Sequence, residues 1–509
     1  MILVACSAIL HPVDFTCPEK WNKNMFLRLN PKFLAGVTLF CALVTSVLPF
    51  LAAQEVRYQL GKQVIAFESD FERGHQDLAI RKKVIPSLQS AVQSFFQLSL
   101  SDAEKFVDAA RIELISPEEQ DFAKALISVR LAPKSRWFDS SKVEIDWTLK
   151  ESYNADESVA MPVQLQLTWR DSSGDDSKPS FATEHNIESF PLDFRQTVQA
   201  GKVAEQDVRV EAKLVGNQKE ITMPWQMISF SDDRDQRLLA ATEQMKAIPK
   251  EPRNNLRQSL ELNLKLLRDL ARGRVQETDY PAHAILVQSE RWLKQAQANE
   301  PAIDLSRAGQ YWLDFSKVGK SGVVRIQVPR DSDASKPFKV LVAYHGAGGS
   351  ENMFFDSYGA GRLATLAREA GYVLVAPRQP LLSGMLPLQE LLDSLAESLP
   401  IDRKRVDLIG HSMGAGQLIQ QVEQNPGVAR SCAILGGGRG ITKPVAWAKM
   451  PVFAAAGDVD FGKRGVLAFS ESVSQAGAVV DERIYENVEH LAIVQVSLAD
   501  IFDWFQKVD

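Results

Sequence analysis

Between an apolar run, Val406 to Ile409, and a helix-prone stretch, Ala415 to Val422, the chain carries Gly410-His411-Ser412-Met413-Gly414. Glycines flanking a central serine let the backbone turn from strand to helix without Cβ clashes. They also mount the serine hydroxyl at the top of a sheet, above a helix N-terminus. This strand-turn-helix unit constrains the surrounding chain to a sheet wrapped by helices. On its own the five-residue pattern is common, and its surroundings decide what it means.

Upstream, Val340 to Tyr344 reads as a buried strand running into His345-Gly346-Ala347-Gly348-Gly349, a turn whose bare amides can approach a ligand closely. If Ser412 attacks an acyl carbonyl, negative charge develops on the oxygen. Two preorganised N–H donors at that point stabilise it, each by about 3 kcal/mol by analogy with measured donor deletions. The expected donors are the amides of Ala347 and Met413, with Gly346 the substitute if the turn is shifted by one residue.

A nucleophilic serine needs a base. Beyond residue 300 there are three histidines, of which His345 lies inside the glycine turn and His411 adjoins the serine and points away from it. His490 remains, in a loop after the strand-like Arg483-Ile484-Tyr485 and before the apolar helix Leu491 to Phe505, which suits a general base. An acid must hold the imidazole tautomer. The strand Pro451 to Ala456 ends in Gly457-Asp458-Val459-Asp460, and Asp460 is favoured because it lies further round the turn towards the histidine, with Asp458 the alternative.

The order Ser412, Asp460, His490 is that of the α/β-hydrolases. Residues 303–509 resemble that superfamily, nearest to secreted esterases and depolymerase-like serine hydrolases whose oxyanion turn reads His-Gly-x-Gly. The resemblance implies a mostly parallel sheet wrapped by helices. The sequence supplies the alternation, with strands near 323–328, 340–344, 372–376, 405–409, 431–436, 451–456 and 482–485 and helical stretches between them. Members with buried sites commonly insert a helical cap after the sixth strand, whereas here only Gly438 to Met450 occupies that position, so an open site is expected, the alternative being a cover supplied by the region before residue 300. Arg439, in a glycine cluster, is read as a solvated loop residue.

At 509 residues and 45 per cent hydrophobic content the chain is long enough for two or three domains. Its 58 basic and 64 acidic side chains give a net charge of −6, which offers nothing to nucleic acid. Met25 opens a segment with Arg28 and Lys32, then the uncharged run Phe33 to Leu51, then Ala52-Ala53-Gln54, which together have the parts of a secretory signal. An exported protein, periplasmic or extracellular, is expected, with membrane contact only through this segment. The alternative is retention by residues 33–53 as an anchor. Sequencing of the exported protein should find its amino terminus near Gln54; an intact 1–24 segment would contradict export by this signal. Cys6, Cys17 and Cys41 would be removed with it, leaving Cys432 as a core residue. No cysteine, histidine and carboxylate spacing suits a metal, so neither metal nor cofactor is expected.

Residues 54–124 read as a helical segment: Val84, Leu88, Val92 and Phe95 recur at helical spacing, and Ser101-Asp102-Ala103-Glu104 reads as a capping box. Residues 125–232 alternate with period two, as in Val143, Ile145, Trp147 and Leu149, or Val163, Leu165, Leu167 and Trp169, or Val208, Val210 and Ala212. A small antiparallel β-sandwich-like domain is expected there, its aromatics in the core and an exposed hairpin tip at 171–178. Residues 233–302 form a helical connector, with Leu256, Leu260, Leu264, Leu267 and Ala271 along one face.

The function expected is hydrolysis of carboxylic esters, small or polymeric, through an acyl-enzyme. The alternatives are a prolyl-oligopeptidase-like peptidase, against which the absence of blade-length repeats counts, and a secreted binding protein with a degenerate hydrolase domain.

Overall fold

Strands without polar interruption belong inside a sheet covered on both faces. In this computed structural model, which describes residues 54–141, 144–154, 161–171, 181–198, 203–249, 255–298, 303–330, 336–380 and 383–508, such runs build one eight-stranded sheet. Its strands are β1 (Gly309–Asp314), β2 (Val323–Val328), β3 (Phe338–Tyr344), β4 (Tyr372–Pro377), β5 (Ile401–His411), β6 (Ser431–Leu435), β7 (Pro451–Gly457) and β8 (Val479–Tyr485). The spatial order is β8-β7-β6-β5-β3-β4-β2-β1. Pairings from β4 through β3 to β8 are parallel, and β2 runs antiparallel to both neighbours. Residues 1–53, which hold the expected secretory signal, Val143 and residues 172–178 lie outside the described residues.

Alternate residues of the central strands enter two cores. Val340, Val342, Leu408, Ile434 and Ala454 face a layer containing helices Asn255–Ala271, Ala282–Gln297, Met413–Gln424 and Lys463–Gln475. Leu341, Ala343, Ile409, Ala433 and Phe453 face helices Arg362–Glu369 and Ile493–Lys507, joined by three amino-terminal helices: α1 (54–71), α2 (Leu78–Phe96) and α3 (Leu100–Ile112). Residues 54–509 thus form one unit. The sequence pattern missed β1, whose only apolar residues are Tyr311, Trp312 and Leu313; it is defined by its ladder to β2 and by the leucine face of Asn255–Ala271 that packs against it.

The period-two segments form two facing sheets. One has three strands, Val129–Pro133, Glu144–Glu151 and Leu192–Thr197. The other has five: Trp137–Asp139, Val163–Asp171, Phe181–Ile187, Gln206–Gly216 and Lys219–Ser231. One of its pairings, Trp137–Asp139 with Lys219–Ser231, is parallel. Trp147 and Trp169, from opposite sheets, are fully buried and meet edge to face at 6.3 Å, so these rings pack the core and offer no exposed aromatic surface.

Buried ion pairs fasten the amino-terminal helices to their neighbours. Lys62 of α1 meets Asp279 at 2.8 Å, and Asp279 also accepts from Tyr58 at 2.8 Å and from the Met227 amide at 3.2 Å. Arg130 pairs with Glu104 of α3 at 2.7 Å and with Asp108. Removing one partner of such a pair strands a charge in the core. Glu104 is therefore a buried ion partner and not the last residue of a capping box. The N-cap of helix α3 is Ser99, two residues before the expected cap Ser101, and its hydroxyl donates to Asp102 at 2.5 Å.

Candidate functional site

Strand β5 ends at His411 and the helix Met413–Gln424 begins one residue after Ser412, which sits at φ 57° and ψ −118°. A side chain at positive φ is strained, and the surrounding packing enforces it here. A Cβ on Gly414 would stand 2.0 Å from the carbonyl oxygen of Tyr344, and one on Gly410 would stand 2.7 Å from that of Gly414. Both obstructions are backbone and cannot swing aside. Gly414→Ala should therefore destabilise the fold by at least the ~3 kcal/mol at the upper end of overpacking effects. A denaturant midpoint equal to that of the unaltered protein would contradict this.

The elbow meets the loops after β7 and β8. His490 Nε2 lies 2.9 Å from Ser412 Oγ, and His490 Nδ1 lies 2.7 Å from Asp460 Oδ1. Asp460 and His490 are each 5% exposed, so this pair lies out of bulk water. The Gly462 amide also donates to Asp460 Oδ1, at 2.6 Å. Asp458, the alternative acid, serves the loop instead: its carboxylate accepts the Val488 amide at 3.3 Å and its carbonyl accepts Lys463 Nζ at 2.7 Å.

Of the expected oxyanion donors, Met413 supplies the first N–H of its helix, a group without an intrahelical acceptor, and Ala347 lies in the turn beside Ser412. The substitute, Gly346, has its N–H engaged by Tyr358 Oη at 3.2 Å. Tyr358 in turn donates to His411 Nδ1 at 2.7 Å, and His411 Nε2 donates to the His490 carbonyl at 2.9 Å. Burial above all, with His490 nearby, lowers the His411 imidazole to about 3, so it stays neutral in the tautomer this chain of bonds requires. The His411 ring lies 4.7 Å from that of His490 and links the glycine turn to the His490 backbone. Tyr358, on a short 3-10 turn, belongs to no motif, and nothing in the sequence marked it. His345 is buried and lowered to about 4 by burial, with its Nδ1 on the Gly346 carbonyl at 2.8 Å.

Phe461 stacks on His490 with ring centroids 3.9 Å apart, and Phe96 from the end of α2 meets Phe461 edge to face at 5.9 Å. Arg439 pairs with Glu423 at 3.3 Å and takes no part in the site. Burial raises the Cys432 thiol, in keeping with a core residue.

Glu489, next to His490, is buried, and burial lifts its carboxyl to about 7, with Asp460 acting in the same direction and His490 against it. From the other side it faces Glu68 of α1, which burial, Glu72 and Glu489 itself raise well above the usual range. A carboxyl raised on folding contributes stability that is fully present below its unfolded value, near 4.5, and is lost as pH rises through about 7. Glu489→Gln should accordingly raise Tm at pH 8 relative to the unaltered protein and do so much less at pH 4. Equal gains at the two pH values would exclude this assignment.

A cavity of about 180 Å³ opens beside Ser412 and His490. The expectation of an open site needs correction. The segment 438–450 carries no lid, but helices α1, α2 and α3 roof the serine in its place. The cover precedes the central sheet in sequence and docks through the buried pairs described above, so the length of an insertion after the sixth strand did not reveal it.

No protein-family model and no curated protein matches the sequence. Solved structures do. An S-formylglutathione hydrolase from Agrobacterium tumefaciens matches at 15% identity over 40% of this chain and 96% of its own, with a TM-score of 0.32. A feruloyl esterase module from Clostridium thermocellum, in complex with sinapinate, matches at 15% identity over 40% and 89%, with a TM-score of 0.33. A fluorophosphonate-binding serine hydrolase from Staphylococcus aureus matches at 16% identity over 40% and 99%, with a TM-score of 0.34. These are partial likenesses to α/β-hydrolase-fold enzymes at low identity, and they concern the fold.

Proposed function

We propose that this chain is an exported serine hydrolase that cleaves carboxylic esters through an acyl-enzyme, with residues 303–509 as its catalytic part, residues 54–302 as accessory structure and residues 25–53 directing export. The single observation that carries the reading is the relay from Ser412 Oγ to His490 Nε2 at 2.9 Å and from His490 Nδ1 to Asp460 at 2.7 Å.

In this mechanism His490 accepts the Ser412 proton as Oγ attacks the carbonyl carbon. The oxygen that gains charge is met by the Ala347 and Met413 amides. His490 then passes the proton to the departing alcohol oxygen, leaving Ser412 acylated. Water, deprotonated by the same imidazole, attacks the acyl carbon, and the bond to Oγ breaks as His490 returns the proton to Ser412, which releases the acid. Asp460 keeps Nε2 unprotonated at the outset and stabilises the imidazolium between the steps. His411 and Tyr358 are positioning residues. They tie the His490 carbonyl to the Gly346 amide and so hold base and oxyanion turn in register.

Ester and amide hydrolysis are separated by comparing kcat/KM on p-nitrophenyl esters with kcat/KM on aminoacyl p-nitroanilides. Esters are expected to be preferred by a factor of at least about 10³, and a preference for the anilides would favour a peptidase. The leaving-group oxygen of the ester departs more readily than an amine, and Glu277, an acid at the cavity edge, is paired with Arg57 at 3.5 Å.

A further inference from the structure

We propose that the roof formed by α1, α2 and α3 is a specificity pocket, and that it selects esters carrying one apolar arm of about six to eight carbons. The inference rests on Ser412 being the nucleophile, and it assigns a ligand-binding role to helices that lie outside the central sheet.

The wall facing Ser412 is made by Leu60 and Val64 of α1, Ala91 and Phe95 of α2, and Val107 of α3. Ala91 and Phe95 continue the apolar stripe of α2 on which Val84 and Leu88 lie. The first turns of that stripe are fully buried, whereas Val92 and Phe95 remain only half-buried because they border the cavity. An apolar stripe that ends over empty space beside a nucleophile leaves surface to be covered by something apolar.

The roof is keyed to the oxyanion turn. A Cβ on Gly348 would stand 2.2 Å from the Phe95 ring, and Gly348 has a φ of +74°, so only glycine fits beneath that ring. Arg57 of α1 donates to the Gly348 carbonyl at 2.5 Å. The same helices thus form the pocket wall and clamp the turn that presents the Ala347 amide.

The chemistry of the occupant follows from the charges. At the cavity edge Arg57 pairs with Glu277 at 3.5 Å and Asp356 with Arg325 at 2.8 Å, so these groups answer each other and leave the interior apolar. The size follows from the volume. About 180 Å³ is slightly more than the engineered apolar cavity of about 150 Å³ that takes benzene. Six to eight carbons, as a straight chain or a ring, fill such a space, and the exposed Phe96 and Phe461 continue the apolar track to solvent.

The test is a chain-length profile of kcat/KM on two series, p-nitrophenyl esters of acids from two to twelve carbons and acetate esters of alcohols over the same range. In one series each added methylene should raise kcat/KM about fourfold up to six or eight carbons, after which the gain stops. The series that shows this tells whether the acyl or the alcohol arm enters the pocket. Ala91→Phe, and separately Val64→Phe, should lower the ratio of the eight-carbon to the two-carbon substrate at least tenfold, and Phe95→Ala should move the optimum to longer chains. A ratio within one preparation does not depend on the fraction of folded protein. Flat or falling profiles in both series, or ratios that these variants leave unchanged, overturn the pocket. If no ester is hydrolysed, the reading of Ser412 is what has failed, and the pocket is tested without turnover. The Ser412→Ala protein should then gain thermal stability with methyl octanoate and none with methyl acetate, and no gain with either overturns it.

Discussion

Ser412→Ala should lower kcat for ester hydrolysis by roughly 10⁶-fold, the drop found when the corresponding serine of subtilisin is removed, while its thermal transition stays within a few degrees of the unaltered protein. The two halves of that result have different causes. Oγ faces the cavity, so its removal opens no hole in the core, and alanine meets the same backbone strain at φ 57° that serine does. The loss of rate comes from the missing nucleophile alone. Steady-state kinetics and calorimetry on one preparation read both, and hydrolysis that survives intact would remove Ser412 from the mechanism.

Asp460→Asn should lower kcat by about 10⁴-fold, the precedent being the equivalent change in a serine protease. An amide in place of the carboxylate no longer fixes the imidazole tautomer or balances its cation, although the 2.7 Å contact can persist. Asp458→Asn should cost far less in rate. Its carboxylate accepts the Val488 amide, so the variant loosens the loop that leads to His490 without touching the imidazole. Kinetics of the two variants side by side check this, and a larger loss at Asp458 would reverse the assignment of the acid.

The core of the site was legible because its chemistry is bound to backbone shape. A serine between Gly410 and Gly414 requires a strand before it and a helix after it, and the glycine turn after β3 requires a buried strand behind it. Strands β3 to β7 announced themselves through apolar runs because both faces of the sheet are covered there, whereas β8, a part-exposed edge strand reading Val-Val-Asp-Glu-Arg-Ile-Tyr, was placed only from residue 482. Strand β1 did not, since three apolar residues carry no period. Tyr358 and the His411 bridge were invisible for a different reason: their roles are set by which loops meet in space, and no spacing in the chain encodes that meeting. The roof was legible only as the alternative to an open site, a cover from the region before residue 300. The stripe of α2 was readable as an apolar helix face, but the chain alone could not say that its last turn faces a cavity instead of a core. The capping box failed locally, because the helix already begins at Leu100, which puts Glu104 inside it and buried against Arg130 at 2.7 Å.

The central claim is that Ser412 is made nucleophilic by His490, and the most direct measurement is reaction with a fluorophosphonate followed by peptide mass mapping. One phosphonyl adduct per chain is expected, on the peptide containing Ser412, with labelling at least about 10²-fold slower in His490→Ala, as loss of a general base requires. A chain that takes no adduct under these conditions, or carries it on another residue with Ser412 unmodified, would contradict the account.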